Sequence, residues 1–260
     1  MNSEQIIREK RLISLNSNNA TRYNNGSALS DLIFDFTNIL IPDESYVYVE
    51  GGLQQAQIVA SFYNIDTTNN VFNYTVSSVA YNIQIPAGNY NYTSLVTQMT
   101  TLFLVNGHTF VFALNRASNI LTLTLTSAGS WTQILPSSSG LILGFDKNTT
   151  YTIVANTRTM PNLFNLLGVK KLKIYSQNLA IDSVDSVGNA TNNLIETLSV
   201  NVAGFGLILY NNIDSTYGHL KTSYLSTIDI QIRDELGNLI NFNGVNWTMS
   251  IVLIIYKRIV

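Results

Sequence analysis

His108 and His219 are the only two histidines in the 260 residues, so any Ser-His-Asp arrangement must use one of them. Asn106-Gly107-His108 reads as a turn after a helix, and Gly218-His219 follows Ser215-Thr216-Tyr217. Neither sits in a nucleophile-type motif, and both read as structural or exposed loop histidines. Asp182 and Asp185, with Asn189, could offer oxygens to a hard cation, but their spacing is not that of an EF-hand loop and no Glu follows at the bidentate position. They read as solvated loop acids. Asp229, Asp234 and Glu235 could be drawn as a glycosidase carboxylate pair, yet Asp229 alternates outward on a strand and the other two occupy a turn. Gly51-Gly52 and Gly204-Phe205-Gly206 lack the helix or lysine that phosphate binding requires and read as bends or bulges. Lys170, Lys171 and Lys173 form the one compact basic cluster, read as an exposed strand face kept soluble by lysine. This inventory nominates no catalytic residue, no metal ligand set and no cofactor site, and the chain reads as not an enzyme.

The elements that would carry such residues are β-strands. Charged residues make up 12% of the chain, about half the usual share, against 46% hydrophobic residues. Asn, Ser and Thr fill the polar quota, and these residues suit turns and strand surfaces better than helix interiors. The longest apolar runs, Ile251 to Ile255 and Leu102 to Val105, fall far short of the roughly 20 residues of a membrane-spanning helix. A net charge of -2 leaves no electrostatic footprint for direct nucleic-acid binding. The absence of cysteine removes disulfides, thiolate nucleophiles and Cys-based metal sites. The charged N-terminal stretch Glu4 to Arg11 does not fit a secretory signal, so secretion by a signal peptide is not expected. The Asn-X-Ser/Thr triplets at Asn19, Asn25, Asn73, Asn91, Asn148, Asn189 and Asn246 follow from composition.

Period-two alternation is the dominant pattern from Leu29 onward. Ile228, Ile230 and Ile232 alternate with Asp229, Gln231 and Arg233, and Leu121, Leu123 and Leu125 with Thr122, Thr124 and Thr126. Tyr81–Ile85 and Phe110–Leu114 behave alike, with further strands expected at 32–36, 46–49, 54–63, 71–76, 172–175, 194–200, 206–210 and 248–256. The last is apolar on both faces, as a strand covered on both sides should be. Asp234-Glu235-Leu236-Gly237-Asn238 marks a hairpin between Ile228–Ile232 and Leu239–Phe242. Leu95, Val96, Met99, Leu102 and Phe103 have helical spacing, with Thr93 or Asn91 as cap and Asn106-Gly107 as stop. Two shorter helices are expected at Ser137–Gly144 and Pro161–Leu167. Residues 1–27 lack a core of their own and read as an arm, and 80–158, bounded by polar Ser77-Ser78 and Ala155 to Arg158, reads as an inserted subdomain. Fourteen tyrosines on a charge-poor chain suit large protein interfaces better than sugar stacking.

The order of these motifs is similar to a known family. Tyr81-Asn82-Ile83-Gln84-Ile85-Pro86-Ala87-Gly88-Asn89-Tyr90, the Leu95-to-Phe103 helix, strands at 109–114 and 119–126, and Leu141-Ile142-Leu143-Gly144-Phe145 resemble an element of capsid proteins of virophages and Polinton-like DNA viruses. The run from Leu225 to Trp247 resembles their closing jelly-roll hairpin, and together these segments cover about half of the chain. One closing hairpin in a chain this short is more similar to the penton, or minor capsid, protein than to the double-jelly-roll major capsid protein. The resemblance implies an all-β fold: a single jelly-roll β-sandwich (28–79 and 159–260) with an inserted small α+β/β subdomain (80–158) and an extended N-terminal arm (1–27). It further implies a homopentamer at icosahedral vertices of the virion, assembled inside the host cell. The arm would reach the major capsid protein of neighbouring capsomers, and the insertion would project outward, where it could meet a host surface receptor. The alternative is a glycan- or receptor-binding β-sandwich module of a virus or phage.

Overall fold

The computed structural model describes residues 6–24, 28–40, 45–179, 193–213, 217–220 and 224–259. The chain forms two compact units, residues 1–62 with 169–260, and residues 63–168. The first unit opens with β1 (Ile6–Asn16), β2 (Arg22–Tyr23), β3 (Asp31–Leu40) and β4 (Tyr46–Val59). The second contains β5 (Val71–Val76), β6 (Val79–Gln84), α1 (Tyr92–Val105), β7 (Phe110–Asn115), β8 (Ile120–Leu125), β9 (Trp131–Leu135), α2 (Gly140–Leu143), β10 (Tyr151–Thr152) and β11 (Thr157–Thr159). The chain then returns to the first unit with β12 (Lys171–Tyr175), β13 (Leu194–Ser199), β14 (Leu207–Asn211), β15 (Gly218–His219), β16 (Leu225–Arg233) and β17 (Thr248–Arg258).

The first unit is a jelly-roll. One sheet has the order β1-β17-β4-β14, with β15 also on β4, and the other has the order β13-β12-β16-β3-β2. Setting aside the two-residue strands, the eight long strands in chain order pair as first, eighth, third, sixth and as second, seventh, fourth, fifth. That is the double Greek key of a jelly-roll. Both sheets contribute to one core, with Ile13, Leu53 and Ile251 from one side meeting Phe34, Ile174 and Ile230 from the other. β17 is the strand expected to be covered on both faces. Met249, Ile251, Leu253 and Ile255 enter the core, and Val252 and Ile254 are buried on the opposite face.

Residues 6–16 depart from the expected arm. They form β1, which pairs with β17 without interruption from Ile6↔Arg258 to Asn16↔Thr248. The weak apolar pattern of this segment was half of a strand pattern: Ile13 and Leu15 enter the core, while Leu12 and Ser14 face away. A strand lent to another sheet edge contributes only its inward side chains, so it needs no core of its own.

The glycine pair Gly51-Gly52 lies inside β4 and is not a bend. A Cβ on Gly51 would stand 3.0 Å from Leu253 Cδ2 and 3.2 Å from the Val252 carbonyl oxygen, so close packing against β17 accounts for this glycine. The bulge falls just beyond, where Ser250↔Gln55 is followed by Ile251↔Leu53. The expected hairpin after β16 has its turn, with Gly237 at φ 91° and Asp234 N–H donating to the Asn238 carbonyl at 2.9 Å. Its returning arm shrinks to the single bridge Arg233↔Leu239. The reason is that Phe242 gives its carbonyl to Ser61 Oγ at 2.7 Å, leaving the sheet.

In the second unit, sheets β10-β9-β5-β6 and β11-β8-β7 enclose Phe72, Phe103, Phe110 and Trp131 with α1. Asn91 and Ser94 form a reciprocal capping box, Asn91 Oδ1 accepting from Ser94 N–H at 2.9 Å and Ser94 Oγ from Asn91 N–H at 3.0 Å. Leu95, Met99 and Phe103 are the buried face of α1. Ser77 and Ser78, at φ 50° and 67°, form the tight turn between β5 and β6 and therefore lie within this unit. That hairpin brings β5 into the second unit, which spans 63–168 where 80–158 was expected. Pro161–Leu167 is not helical. Its amides are used elsewhere: Asn162, Phe164 and Asn165 N–H groups donate to the carbonyls of Gly144, Asn119 and Ile142, all at 2.8 Å. The ion-ligand candidates Asp182, Asp185 and Asn189 lie outside the described residues.

Leu15 tests the reassignment of the arm. At 1% exposure in the core, its change to Ala should lower unfolding free energy by about 2–4 kcal/mol in urea titration, whereas a residue in a free arm would leave the midpoint unchanged.

Candidate functional site

Among the described residues, His108, Asp229, Asp234 and Glu235 are dispersed, and each has a structural occupation. His108 is 6% exposed in the second unit. Its Nδ1 stands 2.8 Å from Tyr74 Oη, and Asn106 Nδ2 donates to the same oxygen at 3.2 Å. The Tyr74 hydroxyl and Nδ1 share one hydrogen between them, the donor being set by the imidazole tautomer. Tyr81 packs edge-on against the His108 ring with centroids 4.5 Å apart. Burial pulls the His108 pKa below its ordinary value and pushes Tyr74 up to about 12. Of the two sequence readings, structural or exposed, His108 is the structural one, and its enclosure needs β5, β6 and the α1 stop brought together.

Asp229 is the second departure. The alternation of β16 does point it away from Ile228 and Ile230, but the segment after β12 covers that face, and Asp229 is 6% exposed. Its carboxylate accepts from Ser176 Oγ, Gln177 N–H and Asn178 N–H, each at 2.9 Å. Asn178 Nδ2 also donates to Thr227 Oγ1 at 2.8 Å. The carboxylate therefore holds a loop and has no room for a substrate. Asp234 caps its own turn through Leu236 and Asn238 N–H at 2.9 and 2.8 Å. Glu235 accepts from the main chain of Lys170 at 3.2 Å, tying the basic segment to the same turn. Among the described residues no three His, Cys, Asp or Glu side chains group as a metal site would require, and no helix is long and apolar enough to cross a membrane.

What remains is surface. On the outer face of the first sheet, Tyr48 and Tyr256 stack with centroids 4.2 Å apart, His219 tilts against Tyr48 at 5.0 Å, and Tyr256 Oη donates to Glu50 at 3.0 Å. Loss of hydration, then the Glu50 carboxylate, raises the Tyr256 pKa. Half of the fourteen tyrosines are turned inward: Tyr46 and Tyr210 pack on one core, and Tyr74, Tyr81, Tyr90, Tyr92 and Tyr151 belong to the other. The two outer strands of this sheet differ sharply. β1 carries Arg8, Glu9, Lys10 and Arg11, whereas β14 reads Leu-Ile-Leu-Tyr-Asn and has no charge. Around β14, Phe205, Leu207, Leu209 and Ile213 are 63%, 49%, 67% and 84% exposed. Isolated apolar residues on a surface are ordinary, but alternate apolar side chains along an uncharged edge strand form a surface suited to another chain.

No protein-family model matches the chain, and no curated protein matches it in sequence. Among solved structures it is similar to the mavirus penton protein at 11% identity and a TM-score of 0.49, over 98% of this chain and 100% of that one. A chain in the structure of the Sputnik virophage is similar at 12% identity and a TM-score of 0.45, over 95% and 97% of the two.

Two measurements follow from the buried polar groups. The folded state holds His108 with a depressed pKa, so the unfolded chain, near the ordinary 6.5, takes up the proton first. Stability should be complete above about pH 6.5 and fall as pH drops through the folded value; denaturant midpoints between pH 7 and 5 should show this, and His108→Gln should flatten it. Asp229→Ala, which strands three donors, should lose at least about 2 kcal/mol in urea, and Asp229→Asn less.

Proposed function

We propose that this chain is a structural capsid subunit of a virus, a penton or minor capsid protein that forms pentamers at the vertices of an icosahedral shell. The observation that carries the reading is the uncharged, exposed β14 edge on a jelly-roll of low overall charge. A subunit enclosed by neighbours on its lateral faces has little use for charge there, because desolvating an ion is costly while hydroxyls, amides and aromatic rings pair readily. A jelly-roll alone does not specify function, since the same architecture serves capsids, lectins and cupins. The motif resemblance adds the second support: the Leu225-to-Trp247 run is β16 with the turn leading into β17, and the Tyr81-to-Phe145 run lies wholly in the second unit.

In this reading the partners are further copies of the chain and a major capsid protein of the same virion. Residues 6–16 are committed to the subunit's own sheet, so contacts with the major capsid protein would be made by faces of the folded units rather than by a free segment of that length. The residues that would otherwise invite an enzymatic reading, His108 and Asp229, are occupied by Tyr74 and by the Ser176 hydroxyl with the Gln177 and Asn178 amides.

Light scattering of the purified chain, alone and mixed with the major capsid protein, tests the proposal. A mass five times the 28.8 kDa protomer and five-fold rings in electron micrographs are expected. A strict monomer at high concentration under both conditions would overturn it.

A further inference from the structure

We infer that neighbouring copies join edge to edge, the β14 strand of one copy pairing with the β1 strand of the next, so that the β1-β17-β4-β14 sheet continues from subunit to subunit. The inference rests on the vertex reading, because a closed ring of identical subunits needs two different and complementary surfaces on each one. The first sheet has two such surfaces in its outer strands.

β14 is unguarded. Soluble proteins protect edge strands with lysine, proline, bulges or a covering segment, and β14 has neither charge nor proline. Its pairing with β4 is regular from Leu207↔Val59 to Asn211↔Gln55, so no bulge twists it away. Ile208 points to the core, and Leu207 and Leu209 point out. The opposite edge is eleven residues of equally regular strand, and on the same outer face it presents Arg8, Lys10 and the 62% exposed Leu12.

Strand direction suits the join. β1 is antiparallel to β17, β17 to β4 and β4 to β14, so β14 runs opposite to β1. A neighbour in the same orientation therefore brings its β1 antiparallel to β14, the better-bonded ladder. Charge suits it as well. Among the described residues Arg8 and Lys10 have no acidic partner, whereas Glu50 and Glu196, at the β14 and β15 side, have no basic one. The cross-strand row Lys10↔Ile254↔Glu50↔His219 puts the cation at one end and the carboxylate near the other, so continuing the sheet brings opposite charges toward each other. Pairing β1 with β1 would oppose cations. Pairing β14 with β14 would close as a dimer and leave β1 uncovered.

The chain has no cysteine, so introduced thiols report contacts without background. Leu209→Cys and Ser14→Cys proteins, with Leu12→Cys as the alternative β1 position, are mixed at assembling concentration and oxidised. A disulfide dimer is expected in the mixture and not in either protein alone, and a chain carrying both changes should give a ladder of covalent oligomers. Leu209→Lys should shift the scattering mass to the monomer while leaving the protomer's thermal midpoint in place. Self-linking of Leu209→Cys alone, or rings of wild-type mass from Leu209→Lys, would overturn this interface and leave the vertex reading standing. A wild-type chain that stays monomeric even with the major capsid protein would overturn both.

Discussion

The fold depends on β17 having a hydrogen-bonded partner on each side. It is apolar on both faces and central in its sheet, so the main-chain N–H and C=O groups along its buried stretch are removed from water and must be paired. β4 satisfies one side and β1 the other, which binds the two ends of the described chain into one ladder. From that constraint the jelly-roll order follows: the first strand meets the eighth, and the third meets the eighth from the other side. Without β1, the core would lose Ile13 and Leu15 and the hydrogen-bonding edge of β17 would be open to solvent.

A second consequence concerns polar chemistry. With few charges available, the molecule fastens its loops with neutral donors and single carboxylates. Asp229 holds three donors of the segment after β12, Asp234 its own turn, and Asn91 the start of α1. The Tyr74, His108 and Asn106 cluster does the same in the second unit. These groups look like chemistry when seen as residue types. In three dimensions each is satisfied by main chain or by neighbouring side chains, while β14 turns Leu207 and Leu209 outward.

Much of this was legible from pattern. Alternation located β8 and β16, the doubly apolar run located β17, and helical spacing with Asn91 located α1, because those signals arise within a dozen residues. What was missed depends on partners distant in the chain. Nothing local distinguishes β1 from an arm, since its inward residues are only Ile13 and Leu15 and its core belongs to other strands. Asp229 alternates outward as expected, and only the segment at 176–178 makes that outward position an interior one. Pro161–Leu167 has apolar spacing compatible with a helix, but three of its amides find carbonyls at 119, 142 and 144.

The sequence by itself determined that the protein is built of strands, where most of them run, where α1 starts and stops, and that ionic chemistry has little part in it; periodicity and composition are local properties that survive without knowledge of partners. Tertiary structure alone decided which strand is central, which residues form edges and which carboxylate is buried. Pairing order joins residues more than two hundred positions apart, as Ile6 and Arg258 are joined, and no local pattern carries the identity of so distant a partner.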